Sequence, residues 1–370
     1  MRPLDILIVG GSLGGLFAAI LLRQDGHRVR IFERSTHGLE GRGAGLVAQH
    51  DVFEMLRAIG AEEAAMVGIV ARERIFLDRA GAIVRRQATP QMQMSWDHLF
   101  RIVRDQLDDE AYIQGRTAVE ATNTADGAMI VLAEGGSASA DLLIGADGLG
   151  SVVRGAVAGD PVSNHYAGYV AWRGLIPEER LPAAAAILPE RFAFHMAPGS
   201  QALGYSVTGP HGETARAARR YNWVWYRRVA RDELPHLLTD RTGRRHPYSL
   251  AQAQTPHAVA DALRADAAAE LPPAFAAAVA AEPNPFLQAI FDYEAPRMVA
   301  GRMVLLGDAA FVARPHTAMG VAKAAGDAMA LRAALRDRPI EIALRDYEQQ
   351  RMREGAAIVA YGRRLGAELE

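Results

Sequence analysis

The sequence predicts an α/β protein in which a parallel, nucleotide-binding sheet is assembled from separated stretches of chain and an antiparallel sheet is inserted between them. Three observations carry this. An apolar run, Leu4-Asp5-Ile6-Leu7-Ile8-Val9, enters Gly10-Gly11-Ser12-Leu13-Gly14-Gly15 and then an apolar helical stretch. Further strands of buried type recur far downstream, at 140–148 and 303–308, each ending in a turn that holds glycine and aspartate. Between them, residues 166–228 break into short aromatic or alternating runs separated by Pro and Gly, the pattern of an antiparallel sheet.

The N-terminal unit reads as a dinucleotide fingerprint. Backbone N–H groups reach a phosphate only where side chains do not block the approach, and the helix dipole favours the negative charge. Gly10 and Gly15 supply the outer glycines, with Gly11, Leu13 and Gly14 in the same turn. Ser12 stands where a glycine is usual; it is small, and its hydroxyl is a donor for a phosphate oxygen. Glu33, about twenty residues beyond the turn and followed by Arg34, closes the second strand, where an acid accepts hydrogen bonds from a ribose diol.

Beyond this unit the chain predicts an amphipathic helix at 52–59, a hairpin turning at Arg79-Ala80-Gly81, a helix at 96–107 and strands at 117–121 and 129–133. Strands at 166–176, 191–196, 201–207 and 221–228 form the expected antiparallel sheet. An Ala-rich helical segment, 250–281, is interrupted by Pro272-Pro273, and helices fill the chain after the 303–308 strand. The expected organisation is a discontinuous nucleotide domain (1–75, 96–160 and 295–340), a substrate domain (76–95 and 161–294) and a C-terminal helix at 341–370.

At 370 residues, half of them apolar, the chain has material for a large core or two domains. A net charge of −2 gives no sign of nucleic acid or an anionic membrane as partner. The absence of Cys excludes disulfides, thiolate metal sites and cysteine nucleophiles; no metal is expected. With no leader and no apolar run long enough to span a bilayer, a cytoplasmic protein is expected.

Three motifs in this order resemble the FAD-dependent aromatic hydroxylases, the single-component monooxygenases related to para-hydroxybenzoate hydroxylase. They are residues 10–15 with Glu33, then Gly145-Ala146-Asp147-Gly148-Leu149-Gly150-Ser151-Val152-Val153-Arg154, then Gly307-Asp308-Ala309-Ala310-Phe311-Val312-Ala313-Arg314-Pro315-His316. Within that family, residues 166–174, 221–226 and 314–320 are similar to enzymes of the 2,6-dihydroxypyridine 3-hydroxylase type. The resemblance implies a glutathione reductase-type FAD domain with an inserted substrate sheet, and non-covalent FAD. NADH or NADPH is the implied transient reductant, with O2 as co-substrate. The implied reaction hydroxylates a small electron-rich aromatic or N-heteroaromatic ring through a C4a-hydroperoxyflavin. A homodimer is common among such enzymes.

The resemblance also assigns roles. Asp308 is expected on the ribityl chain of FAD, and Gly320, Val321 and Ala322 at a helix start facing the flavin ring. Asp147-Gly148 serves FAD and reductant together, and Arg42, Ala44 and Gly45 line the pyrophosphate or the mobile flavin, although a solvated loop arginine reads equally simply at Arg42. Relatives carry an arginine for the pyrophosphate where this chain has Trp96, which leaves Arg101, Arg104 or Arg42 to compensate.

On the substrate side, His316, following Pro315 in the loop above the flavin, is the leading candidate base, with His50 second and His195 third. Gln49 is placed to hydrogen-bond a ring heteroatom, and Tyr205, Trp223 and Trp225 are the preferred aromatic wall. In a strand, Trp223 and Trp225 share one face while Val224 and Tyr226 share the other, so all four cannot line one cavity. Plain core packing is the competing explanation for each aromatic, and a turn histidine for His316. Few cations in the cavity would suit pyridine diols, whereas a buried arginine would argue for carboxylated rings. A urate-like, phenolic or polyketide ring, or a flavin-binding redox protein without hydroxylase activity, are the alternatives; a plain NAD-dependent dehydrogenase has no use for Asp308.

Overall fold

The computed structural model describes residues 2–39, 41, 45–47, 49–159, 164–336 and 338–369. Its first layer is a six-stranded sheet in the order Val299–Ala300, Met303–Leu305, Leu142–Gly145, Asp5–Val9, Arg28–Glu33, Tyr112–Gln114. Every neighbouring pair is parallel except the first. Strands far apart in sequence therefore end side by side, and their C-terminal ends carry residues 10–15, Asp147 and Asp308, the crevice where α/β sheets take ligands. The inner strands Asp5–Val9, Leu142–Gly145 and Met303–Leu305 are almost wholly apolar and buried, and beside them Leu13–Gln24 packs on Gly320–Leu335, which in turn packs on Ile340–Gly366.

The inserted layer is a nine-stranded sheet whose main path runs Ser249–Leu250, Phe286–Glu294, His165–Pro177, Arg220–Arg228, Ser200–Val207, Arg191–Ala197, Glu73–Leu77, Ile83–Gln87, with Phe311–Val312 joined to Phe286–Glu294. The expected strands at 166–176, 191–196, 201–207 and 221–228 are all present in it. Phe286–Glu294, nine residues in the centre of the protein, has no counterpart in the sequence reading. Its burial runs in pairs rather than alternating, because each of its faces meets protein, so the period-two signal is lost. Glu73–Leu77 straddles the expected boundary at residue 75, and 250–281 resolves into a short strand followed by the helices His257–Glu270 and Pro273–Ala280. These two helices cover one face of the sheet, burying Trp223, Trp225, Leu263, Ala267 and Phe275 in one apolar cluster. The opposite face looks toward the nucleotide crevice.

A single buried side chain holds the second motif to the third. Arg154 donates from Nε to the Ala309 carbonyl (2.7 Å) and from its Nη atoms to the carbonyls of Leu149, Gly148 and Asp308 and to Asn164 Oδ1. The Tyr293 ring lies 3.9 Å from the guanidinium carbon. Four carbonyls from two loops converge on one five-donor group. Truncating it leaves those acceptors buried without donors. Arg154→Met is therefore expected to destabilise the protein by about 3 kcal/mol in denaturant unfolding; a loss of a few tenths would show that the loops hold themselves.

Candidate active site

A cavity of about 1280 Å³ runs from the end of the parallel sheet to the inserted sheet. That exceeds the ~300–1,000 Å³ typical of a site for one drug-sized ligand, and suits a dinucleotide with a second, small molecule. At the nucleotide end it is lined by Gly10, Ser12, Glu33, Arg34, Gly45, Asp147, Gly148, Asp308, Gly320 and Val321. Gly11, Leu13, Gly14, Gly15 and Ala322 stand behind this lining rather than in it. Arg42 and Ala44 lie outside the described residues.

The turn at 10–15 is built for close approach. Gly10 sits at φ +105°, and a Cβ there would lie 2.4 Å from the Ala146 carbonyl oxygen. At Gly15 a Cβ would lie 2.0 Å from Gly10 O, so the first helical turn folds directly onto the strand end. Ser12 is the N-cap residue of Leu13–Gln24 and its side chain makes no cap hydrogen bond, which leaves the hydroxyl and the first helical N–H groups facing the cavity. The Glu33 carboxylate accepts from Gly11 N and Ser35 N, both at 2.8 Å, fixing the turn while each oxygen keeps further acceptor capacity.

Asp308 is half-exposed in the cavity, and Lys323 Nζ donates to its Oδ1 (2.9 Å) and to the Phe311 carbonyl. Asp327, buried one turn further along the same helix, accepts from Gly307 N (2.8 Å) and pairs with Arg351. Burial pushes the Asp327 carboxyl up, and Arg351 and Lys323 oppose it. Sequence reasoning missed Lys323, Asp327 and Arg351; for the first two, a charge inside an Ala- and Gly-rich helical run was the available signal, whereas Arg351 stands among other polar residues and carried none. Asp147 differs from expectation in its contacts. Its carboxylate takes the Ser151 hydroxyl and the N–H groups of Val152 (2.7 Å) and Val153, holding the start of the helix Val152–Ala158, while burial pushes its pKa up.

The second departure is at the pyrophosphate side. Arg101 donates to the Pro210 carbonyl, and Arg104 pairs with Asp109; neither lines the cavity. Among the described residues, Arg34 and Arg116, the latter not foreseen, line the cavity beside Glu33, and Trp96 lines it with its ring stacked on Phe100 at 4.9 Å.

On the inserted sheet the aromatic wall is Tyr205, Tyr226, Phe76, Phe192 and Phe194, with Leu203, Val224 and Arg173. Tyr205 packs its ring where a Cβ on Gly45 would stand. Trp223 and Trp225 belong to the other face. Trp223 lies over Gly174, where a Cβ would come within 2.4 Å of the indole, and Trp225 Nε1 donates to Ser200 Oγ (2.8 Å). Both faces of Arg220–Arg228 are buried, so nothing in its apolar pattern distinguished them.

His316 meets the cavity in the turn Pro315–Thr317, with Nε2 2.9 Å from Tyr169 Oη and its ring 4.2 Å from that of Tyr226. Burial, with Arg314 nearby, brings its pKa down to about 4, so the imidazole is neutral near pH 7. Pro315 lines the cavity beside it, and Gln49 Nε2 donates to the carbonyl of Ala318 (2.9 Å), tying the loop to the start of the next helix. His50 is displaced from the site. It is exposed on the first turn of His50–Ala58, 3.6 Å from Glu54, and does not line the cavity. His195 faces away too, bonded through Nδ1 to the Leu77 carbonyl.

This geometry defines a flavoprotein site with an attached aromatic pocket, and comparison with known proteins agrees. A family model described as FAD binding domain-like matches residues 166–292, and one for an NAD(P)-binding Rossmann-like domain matches residues 8–50. The chain is 30% identical over 370 residues to 2,6-dihydroxypyridine 3-monooxygenase of Paenarthrobacter nicotinovorans, covering 99% of this chain and 91% of that protein. It superposes on the solved structure of 2,6-dihydroxypyridine-3-hydroxylase from Arthrobacter nicotinovorans with a TM-score of 0.92 at 28% identity, covering 100% and 93% of the two chains. A Klebsiella pneumoniae flavoprotein solved with FAD and uric acid superposes at 0.76 with 25% identity over 98% of this chain and 87% of that one. The protein belongs to the FAD-dependent aromatic hydroxylases, and is an FAD monooxygenase.

Its residues fit that cofactor. Residues 10–15 and the helix behind them would hold its pyrophosphate, Glu33 a ribose, Asp308 the ribityl hydroxyls, and the start of Gly320–Leu335 the polar edge of the ring. Asp308→Ala would remove the expected ribityl acceptor and leave Lys323 bonded to the Phe311 carbonyl alone; the Kd for FAD is expected to rise about tenfold, ~1.4 kcal/mol, in fluorescence titration of apoprotein. Native affinity would remove Asp308 from the FAD site. A histidine with its folded pKa near 4 and an unfolded one near 6.5 takes up a proton on unfolding between those values. Its contribution to stability is complete above pH 6.5 and is lost as pH falls toward 4. His316→Gln should flatten the pH–stability curve over that interval, whereas an unaltered slope would assign the titration to other groups.

Proposed function

We propose that the protein hydroxylates a small, electron-rich hydroxylated aromatic or N-heteroaromatic ring, using NADH or NADPH and O2. The observation that carries this is the continuity of one cavity from the phosphate-binding turn to an aromatic wall, with His316 at the junction. Bound there, FAD supplies the redox centre at which the reductant is oxidised and O2 is activated. The chain supplies the rest. Tyr205, Tyr226, Phe192 and Phe194 sandwich a flat ring and exclude water. His316, neutral and bonded to Tyr169, exchanges hydrogen bonds with a ring hydroxyl and shares its proton as the ring becomes more nucleophilic. No second nucleotide fold occurs among the described residues, so the nicotinamide cofactor binds transiently in the open part of the same crevice. The similarity to a 2,6-dihydroxypyridine 3-monooxygenase supports a hydroxypyridine-like ring.

The test is NAD(P)H oxidation by the purified yellow protein with and without 2,6-dihydroxypyridine, followed by product mass. Ring-stimulated oxidation and a product heavier by one oxygen support the reading; a flavoprotein that ignores a panel of hydroxylated rings overturns it. His316→Ala should leave the flavin spectrum unchanged and lower coupled hydroxylation by about 10²-fold, the lower range for one acid–base group. Unchanged product formation would return His316 to a structural role.

A further inference from the structure

The cofactor end of the cavity is underlain by a charge in an unfavourable place. Lys323 lies in the first turn of Gly320–Leu335, a turn without an acidic residue, and its side chain is only 1% exposed. Unpaired backbone N–H groups already make that end of a helix positive, and a buried ammonium adds a like charge while giving up its own water. An apolar side chain in this Ala-rich, buried stretch would avoid both costs.

The partners of the lysine account for its charge. Nζ donates to Asp308 Oδ1 (2.9 Å) and to the Phe311 carbonyl, so one cation bridges two points of the third motif. Asp308 has no other ion pair among the described residues, and its second carboxylate oxygen has no partner among them. That side chain is half-exposed where it lines the cavity. The other buried charges nearby are matched elsewhere, Asp327 by Arg351 and Arg154 by the carbonyls of Asp308 and Ala309. Lys323 is therefore the direct counter-charge of Asp308.

An acid at this position carries a cost that arises only in the reaction. A carboxylate is a strong acceptor for hydroxyl groups. A hydride, however, brings two electrons and one proton, so FAD gains one negative charge as NAD(P)H becomes NAD(P)+. An uncompensated carboxylate beside the cofactor opposes that step. We propose that Lys323 is a positioning residue of the FAD site: it holds Asp308 through Oδ1, leaving the other oxygen for the cofactor, and cancels its charge. An acid can then bind FAD without disfavouring the reduced form. This rests on Asp308 serving FAD and is independent of which ring is hydroxylated.

The experiment reads the midpoint potential of the bound flavin, by anaerobic reduction of the FAD-loaded protein beside a reference dye, with no ring substrate present. Lys323→Met leaves the carboxylate uncompensated and should weaken the preference for reduced over oxidised FAD about tenfold, a potential lower by about 30 mV for a two-electron couple. Asp308→Asn leaves the ammonium uncompensated and should move the potential the other way by a similar amount. The double variant should return close to the wild type. Opposite shifts with mutual rescue are the mark of paired charges; a loosened site would move both single variants in the same direction, and that result, or no shift in either, overturns the proposal. If Lys323→Met does not fold, Asp308→Asn decides alone, because it keeps the lysine: an unchanged or lower potential there is the contrary result. The premise fails separately. Native FAD affinity in Asp308→Ala removes Asp308 from the cofactor site and this role of Lys323 with it, whereas weakened FAD binding in that variant beside an unshifted potential in Lys323→Met overturns the counter-charge alone.

Discussion

The Arg154 guanidinium sets the spacing on which the site depends. The turns after two parallel strands, Leu142–Gly145 and Met303–Leu305, must lie close enough to form one crevice, yet each presents backbone carbonyls that repel one another. One cation between them, bonded to Gly148, Leu149, Asp308 and Ala309, converts that repulsion into a shared attachment. Two buried acids, one in the second motif and one in the helix after the third, perform architectural work beside it. Asp147 organises the helix that carries Arg154, and Asp327 ties Gly307 to the helical layer through Arg351. The cofactor end of the cavity is thus rigid because its backbone polar groups are satisfied by buried charged side chains rather than by water.

The other end is made differently. The inserted sheet buries both faces, one against helices and one against the cavity, and sorts its large aromatics between them. Where Trp223 and Tyr221 rise toward the helices, the neighbouring strands carry Gly174 and Gly204, because no Cβ fits beneath those rings. On the cavity face the rings stand around open space, with Arg173 among them. At the seam, His316 is held neutral by burial and oriented by Tyr169 and Tyr226. A polar, preorganised cofactor end thus meets an aromatic, sparsely charged pocket at one imidazole.

Much of this was legible in the chain. Local chemistry alone determined the glycine turn with Ser12 and Glu33, the parallel strands that end at Asp147 and Asp308, the four inner strands of the inserted sheet, and through these motifs the flavin hydroxylase family. Such features depend on short-range constraints: a φ open only to glycine, a continuous apolar run, a carboxylate at a strand end. Tertiary structure decided the rest. Which face of Arg220–Arg228 lines the cavity follows from where the two helices after residue 256 settle, and a strand buried on both sides carries no record of that choice. His50 and Gln49 are adjacent in sequence, yet the start of one helix turns the first to solvent and the second onto the Ala318 carbonyl. Arg173 and Arg154 look alike as single basic residues in apolar surroundings. Only the folded chain shows that Arg154 lies among carbonyls while Arg173 lines the cavity, because the carbonyls of Asp308 and Ala309 come from a segment more than a hundred residues beyond Arg154.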